Sequence, residues 1–169
     1  MYRFTTSFSY LVNKVGVRIG ELFSRDLAPY GVTVPMYRVL AALWEQGDQR
    51  LGELSAMTTV ELSTLSRLVG AMKRRGLVSR ARVQTDERSI QINLTAKGRA
   101  LATELMAVAA RNEGVTVRAL GEDELTVLRR SLTTVFDNLD QLERDSTTAA
   151  SKPPIRPTPR SRMGREPRS

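Results

Sequence analysis

One short stretch of this chain alternates as a strand does, and almost everything around it repeats as a helix does. Ile90-Gln91-Ile92-Asn93-Leu94 switches strictly between apolar and polar residues, the period of a half-buried strand. Ahead of it, Leu77-Val78-Ser79-Arg80-Ala81-Arg82-Val83 sets Val78, Arg80 and Arg82 against Leu77, Ser79, Ala81 and Val83, and the polar run Gln84-Thr85-Asp86-Glu87-Arg88-Ser89 separates the two. Two strands around a polar tip read as a β-hairpin. The fold class that follows is mainly α with a small β-hairpin (α+β).

The helical segments have recognisable starts and stops. Phe8, Leu11, Val12, Val15, Ile19, Leu22 and Phe23 recur at three and four, although Gly16 and Gly20 weaken that first helix. Ala28-Pro29-Tyr30-Gly31 breaks it. Thr33 is placed to cap a second helix with Pro35 near its first turn, running through Val39, Leu40, Leu43 and Trp44 to Gly47-Asp48. A short helix, Leu51 to Met57, precedes a longer one, Glu61 to Arg75, which Gly76 stops, and Thr58 and Glu61 stand at capping-box spacing. After the hairpin Thr95 caps a helix carrying Leu101, Leu105, Met106 and Val108, with the next break near Gly114 or Gly121. The last helix spaces Leu125, Leu128, Leu132, Val135, Leu139 and Leu142 at three and four, a heptad seam that calls for a partner helix in the same chain or a second copy.

Composition removes several function classes. The 169 residues hold no cysteine and no histidine, so disulfides, thiol sensing, the usual neutral general base and the commonest transition-metal ligand are all missing. No stretch is apolar enough to span a membrane and the start has no signal-peptide core, so a soluble, unprocessed chain is expected, and the lack of cysteine suits a reducing cytoplasm. The net charge of +8 is unevenly spread. Residues 50–99 hold ten basic and four acidic side chains, residues 100–145 five and nine, and residues 146–169 six and one. Such segregation suits a surface that meets a polyanion.

Helix, helix, short helix, longer helix, charged hairpin, helix, helix is the order of a winged helix-turn-helix with helical extensions on both sides. A helix 10 to 12 Å across fits a major groove roughly 12 Å wide, and a hairpin beside it reaches the backbone or the neighbouring minor groove. The first turns of the Glu61 to Arg75 helix offer Ser63, Thr64, Ser66 and Arg67 for base contacts, with Leu62, Leu65, Leu68, Val69 and Met72 turned to the core. Lys73, Arg74 and Arg75, with Arg80 and Arg82 on the strand, are candidates for phosphate contacts. A solvated helix end that complements the helix dipole is the bland reading of 73–75, and the charged hairpin on the same face argues against it. The expected organisation is an N-terminal helix over 1–32, a DNA-binding region over 33–99, C-terminal helices over 100–145 and a disordered Pro-, Arg- and Ser-rich tail over 146–169, either a solubilising extension or a basic arm.

Five pieces of the chain, Leu51-Gly52-Glu53-Leu54, Ser63-Thr64-Leu65-Ser66-Arg67-Leu68-Val69, Arg75-Gly76-Leu77-Val78-Ser79-Arg80, Asp86-Glu87-Arg88-Ser89 and Leu94-Thr95-Ala96-Lys97-Gly98, resemble the MarR family of bacterial regulators in order and spacing. The likeness covers about residues 8 to 145. It implies a triangular dimer whose base is built from the first helix and the last two, which makes 1–32 the N-terminal dimerisation helix and 100–145 the C-terminal dimerisation helices. It also implies that Arg88, at the wing tip with Ser89, enters a minor groove while Asp86 helps hold it; a narrow groove attracts Arg. The bland reading of Asp86 is a turn residue. One departure concerns Gly70-Ala71-Met72, where relatives commonly carry an acid that pairs with the residue at Arg80. Gly70 also costs about 1 kcal/mol relative to Ala in a helix. Arg80 is then either freer to meet DNA or held by another acid.

Many members of that family bind small aromatic or anionic effectors between the dimer base and the winged domain. Arg18, Tyr30, Tyr37 and Trp44 are the residues best suited to such a ligand, although a purely structural role is the stronger reading of all four, core packing in the case of Tyr37 and Trp44. The function expected is a sequence-specific DNA-binding transcriptional regulator, in the commoner case a repressor, sitting as a homodimer on a near-palindromic operator in double-stranded DNA. The alternative is a winged-helix module that binds protein. No phosphate-cradling glycine loop, nucleophile with a matched base or metal-ligand spacing supports an enzyme, and no cofactor is expected.

Overall fold

A computed structural model of the chain describes the backbone of residues 3–83 and 86–150 and the side chains of residues 3–81 and 90–146. In chain order the elements are α1 (Phe8–Leu27), α2 (Val34–Gln46), β1 (Gln49–Arg50), α3 (Leu51–Thr58), α4 (Leu62–Arg74), β2 (Val78–Val83), β3 (Asp86–Leu94), α5 (Ala96–Thr116) and α6 (Glu122–Ala150), with short 3-10 turns at Phe4–Thr6 and Ala28–Tyr30. The chain divides into two units, one ending at Arg118 and the other starting at Ala119. This is the winged helix-turn-helix arrangement that the alternation and the helical periods predict.

The caps explain the boundaries. Ser7, Thr33 and Thr95 each accept a main-chain N–H three residues ahead, starting α1, α2 and α5. At the C-terminal ends the chain reverses through residues with positive φ: Gly31 at 61°, Gly47 at 77° and Gly76 at 69°. Leu27, Met36, Val39, Leu40, Leu43, Leu54, Leu65, Val69, Met72, Leu77, Val78, Ile92, Leu105 and Val108 are buried together, so α2 to α5 and the sheet share one core with the C-terminal end of α1.

The sheet has three strands, not two. β3 lies in the middle, antiparallel to β2 on one side (Val78 opposite Leu94, Arg80 opposite Ile92) and to the two-residue β1 on the other (Gln49 opposite Ile92). A two-residue strand has no alternation to show, which is why sequence reading passes over β1. The hairpin register slips between Arg82 and Val83, where Val83 comes to face Asp86.

Three further expectations need correcting. Thr58 is not the N-cap of the longer helix: it is buried at the end of α3, its hydroxyl donating to the Leu54 carbonyl at 2.5 Å, and Glu61 takes the cap. Leu62 is exposed instead of facing the core. Helical side chains lean toward the N-terminus, and at the first helical position that carries Leu62 beyond the last packed turn. In the second unit α6 continues through Ala150, past the expected tail boundary at 146.

The Leu94-Thr95-Ala96-Lys97-Gly98 segment has a plain geometric reason. The Thr95 hydroxyl, besides capping α5, donates to the Gly76 carbonyl at 2.6 Å, and Lys97 Nζ donates to the Arg75 carbonyl at 3.1 Å. A Cβ on Gly98 would stand 1.8 Å from the Leu77 carbonyl oxygen. The start of α5 is thereby pressed against the turn that joins α4 to β2.

Candidate nucleic-acid interface

α4 is strongly two-sided. Leu65, Val69 and Met72 are buried, while Ser63, Thr64, Arg67, Lys73 and Arg74 are exposed and Ser66 is half-buried. α3 and the turn ahead of α4 hold it in place. Thr59 takes a left-handed conformation (φ 54°), and Arg38 of α2 donates to the Thr58 carbonyl at 3.3 Å and to the Thr59 hydroxyl at 3.2 Å.

At the start of α4 the Glu61 carboxylate accepts the main-chain N–H groups of Ser63 at 2.9 Å and Thr64 at 3.0 Å, and also the Ser63 hydroxyl. The Ser63 hydroxyl, then the two N–H groups, hold the Glu61 carboxyl well below its ordinary value of 4.5, at about 2. Glu61 is therefore an anion at the end of α4 that carries the expected base-reading side chains, and it engages one of their hydroxyls. Sequence reading missed it because Glu is an uncommon N-cap and Thr58 offered a more usual one.

The remaining cations divide by what they touch. Arg67 Nε lies 3.5 Å from the Ser63 carbonyl, along its own helix. Arg80, on β2, reaches the Ser66 carbonyl at 3.5 Å, so the strand's guanidinium lies against α4. Lys73 and Arg74 are exposed at the helix end. Arg75 differs: its guanidinium donates to the Gly31 carbonyl at 2.7 Å and the Tyr30 carbonyl at 3.4 Å, with Met36 Sδ 3.5 Å away. It is engaged by the protein and does not stand with the free cations expected to meet phosphates. The side chains of Arg82, Asp86, Arg88 and Ser89 lie outside the described residues.

The four residues expected to receive an effector are not brought together. Arg18 pairs with Glu21 at 3.1 Å on the exposed side of α1. Tyr37 packs edge-to-face on Phe23 with ring centroids 4.6 Å apart, and burial, followed by Glu113 and Glu45, pushes its hydroxyl above the ordinary value. Trp44 Nε1 donates to the Thr103 hydroxyl at 3.1 Å. Tyr30 alone of the four lines a cavity of about 570 Å³ between α1 and α5, together with Leu22, Arg25, Asp26, Val108, Arg111 and Asn112. Asn112 closes one wall by donating to Asp26 at 2.8 Å. Sequence periodicity could not reveal this grouping, because it joins α1 to α5 across most of the first unit.

A two-sided helix in a helix-turn-helix, a strand-borne arginine beside it and a hairpin wing define a winged-helix DNA-binding protein. Comparison with known proteins agrees. Residues 21–105 match the family of SarA/Rot transcriptional regulators. The chain is 31% identical over 133 residues, 79% of its own length and 80% of the relative's, to the HTH-type transcriptional repressor IacR of Pseudomonas putida. Among solved structures, Bordetella bronchiseptica BpsR, studied for regulation of its DNA binding by 6-hydroxynicotinic acid, superposes with a TM-score of 0.74 at 24% identity, over 81% of this chain and 98% of that one. A mutant of MarR from E. coli, complexed with operator DNA, gives 0.71 at 22% identity over 80% and 99%. The chain belongs to the SarA/Rot family of transcriptional regulators, and its fold is that of MarR. Among the described residues no helix is long and apolar enough to cross a membrane.

Proposed function

We propose that this DNA-binding regulator acts in the cytoplasm as a homodimeric repressor on a near-palindromic operator. The observation that carries the reading is the division of α4: its apolar side is consumed by the core, and Ser63, Thr64, Arg67, Lys73 and Arg74 remain beside Arg80 on the free side. Arg67 is the residue assigned to a guanine edge, Lys73, Arg74 and Arg80 to phosphates, and Arg88, supported by Asp86, to the minor groove. Dimerisation is supported by two uncovered apolar faces, one on α1 (Leu11, Val12, Val15, Ile19) and one on α6 (Leu128, Leu132, Leu139, Leu142).

The cavity between α1 and α5 is the effector site of this reading. Arg25 and Arg111 supply positive charge, Tyr30 and Asn112 supply hydrogen-bonding groups, and Leu22 and Val108 supply an apolar wall, a set suited to a small aromatic anion. An aromatic acid regulates the DNA binding of BpsR. Two α4 helices of a dimer must address half-sites about 34 Å apart, so a modest change of spacing is enough to weaken operator binding.

The test is fluorescence anisotropy with the duplex upstream of the gene and with a scrambled duplex, at two salt concentrations. Tight binding to the upstream duplex alone, weakening steeply as salt rises, is the expected result. Absence of binding at either salt overturns the reading in favour of a protein-binding module.

A further inference from the structure

We propose that Arg75 is a positioning residue that couples the α1–α5 cavity to the recognition helix, through the Tyr30 and Gly31 carbonyls. The inference rests on the reading of that cavity as an effector site and concerns how its occupancy reaches DNA.

Arg75 is the C-cap of α4: its N–H donates to the Ala71 carbonyl at 3.2 Å, and its own carbonyl accepts Lys97 Nζ at 3.1 Å. Its main chain is thus part of the recognition helix's end. Its side chain leaves that helix altogether. α1 passes directly into the 3-10 turn Ala28–Tyr30, so the Tyr30 and Gly31 carbonyls are the last of one long helical run, where partial negative charge collects. Gly31, at φ 61°, reverses the chain there. The Arg75 guanidinium forks onto both oxygens, Nη1 to Gly31 at 2.7 Å and Nη2 to Tyr30 at 3.4 Å. A planar fork addresses two acceptors in a way a lysine ammonium does not.

Tyr30 is the shared element, because it also lines the cavity, where the Asn112 to Asp26 bond ties α5 to α1. An occupant that spreads the end of α1 from α5 displaces Tyr30 and Gly31, and the end of α4 follows through one side chain. The Lys73-Arg74-Arg75 run therefore serves two purposes: two cations for the DNA face and one strut to the sensor.

A double-mutant cycle tests this without a known effector. Asn112→Trp places bulk at the cavity lining, and Arg75→Ala removes the strut. Both are measured alone and together for affinity to the upstream duplex, for hydrogen exchange of the amides of residues 72–77, and for thermal unfolding. In the Arg75 background Asn112→Trp is expected to change DNA affinity by about fivefold and to alter exchange at 72–77; in the Arg75→Ala background both responses should disappear. Arg75→Lys, which keeps the charge without the fork, should leave a partial response, and it replaces Arg75→Ala if that variant fails to fold. Additive effects, or no effect of Asn112→Trp on exchange in the parent, overturn the coupling. A parent protein that binds no DNA yet shows non-additive exchange breaks the regulator reading and keeps the coupling. General loosening by Arg75→Ala would lower the unfolding temperature and leave the Asn112→Trp response in place, which also counts against it.

Discussion

α1 and α4 are both amphipathic helices, and they leave opposite kinds of surface free. α4 buries Leu65, Val69 and Met72 and shows hydroxyls and cations. α1 buries only Phe23 and Leu27, near its end, and leaves Phe8, Leu11, Val12, Val15, Ile19 and Leu22 exposed. A helix whose second side is cationic is complete as a folded element and waits for a polyanion. One whose second side is apolar is incomplete until another apolar surface covers it. The helix proposed to read DNA and the helix proposed to pair the copies can thus be told apart by what each leaves outside.

The largest effect is expected from attacking the α1 side of that contrast. Leu11→Asp combined with Val15→Asp should give a monomer in sedimentation velocity and reduce operator affinity by roughly 10²- to 10⁴-fold, since each half-site then binds alone. Arg67→Ala, on the other helix, should leave the dimer intact. A double variant that stays dimeric would erase the distinction. Next comes the frame that both helices depend on. Gly98→Ala would put a Cβ 1.8 Å from the main-chain oxygen of Leu77, which no side-chain rotation relieves. A loss of ~3 kcal/mol or more is expected in urea unfolding.

The contrast itself was legible in the sequence, because period and polarity are local properties. Alternation at 90–94, capping at Thr33 and Thr95, and the glycine stops at Gly31 and Gly76 all predict their elements from a few neighbouring residues. What stayed hidden depends on contacts across the chain. β1 exists because Gln49 and Arg50 find β3, Tyr30 becomes a cavity residue only when α5 lies beside α1, and Arg75 turns to the end of α1 because Gly31 offers it a carbonyl. The Glu61 cap was hidden for a different reason: two residues competed for one role, and burial of Thr58 decided between them.

Within α4 the polar side can be divided further. Arg67→Ala should cost about 1 to 3 kcal/mol of operator binding and relax base preference at one position. Lys73→Ala should weaken all duplexes evenly and lower the salt slope by about 1. Competition titrations against single-base operator variants separate the two behaviours, and identical profiles would remove Arg67 from base reading.

The smallest effect expected concerns the anion at the start of this surface. Glu61 holds its proton less tightly in the folded chain, at about 2, than at its ordinary value of 4.5, because its charged form receives the Ser63 hydroxyl and two helix N–H groups. Its contribution to stability is therefore complete above the ordinary value and declines as pH falls through the interval toward the folded one. Urea midpoints compared between about pH 6 and about pH 3, which bracket the ordinary value, should drop more for the parent than for Glu61→Gln, which keeps an acceptor at the cap without a charge to protonate. Equal drops would mean that the cap is not held by its charge. In that case Ser63 and Thr64 would be as free to meet DNA as the sequence first suggested, and the start of α4 would differ less from its basic end than its hydrogen bonds imply.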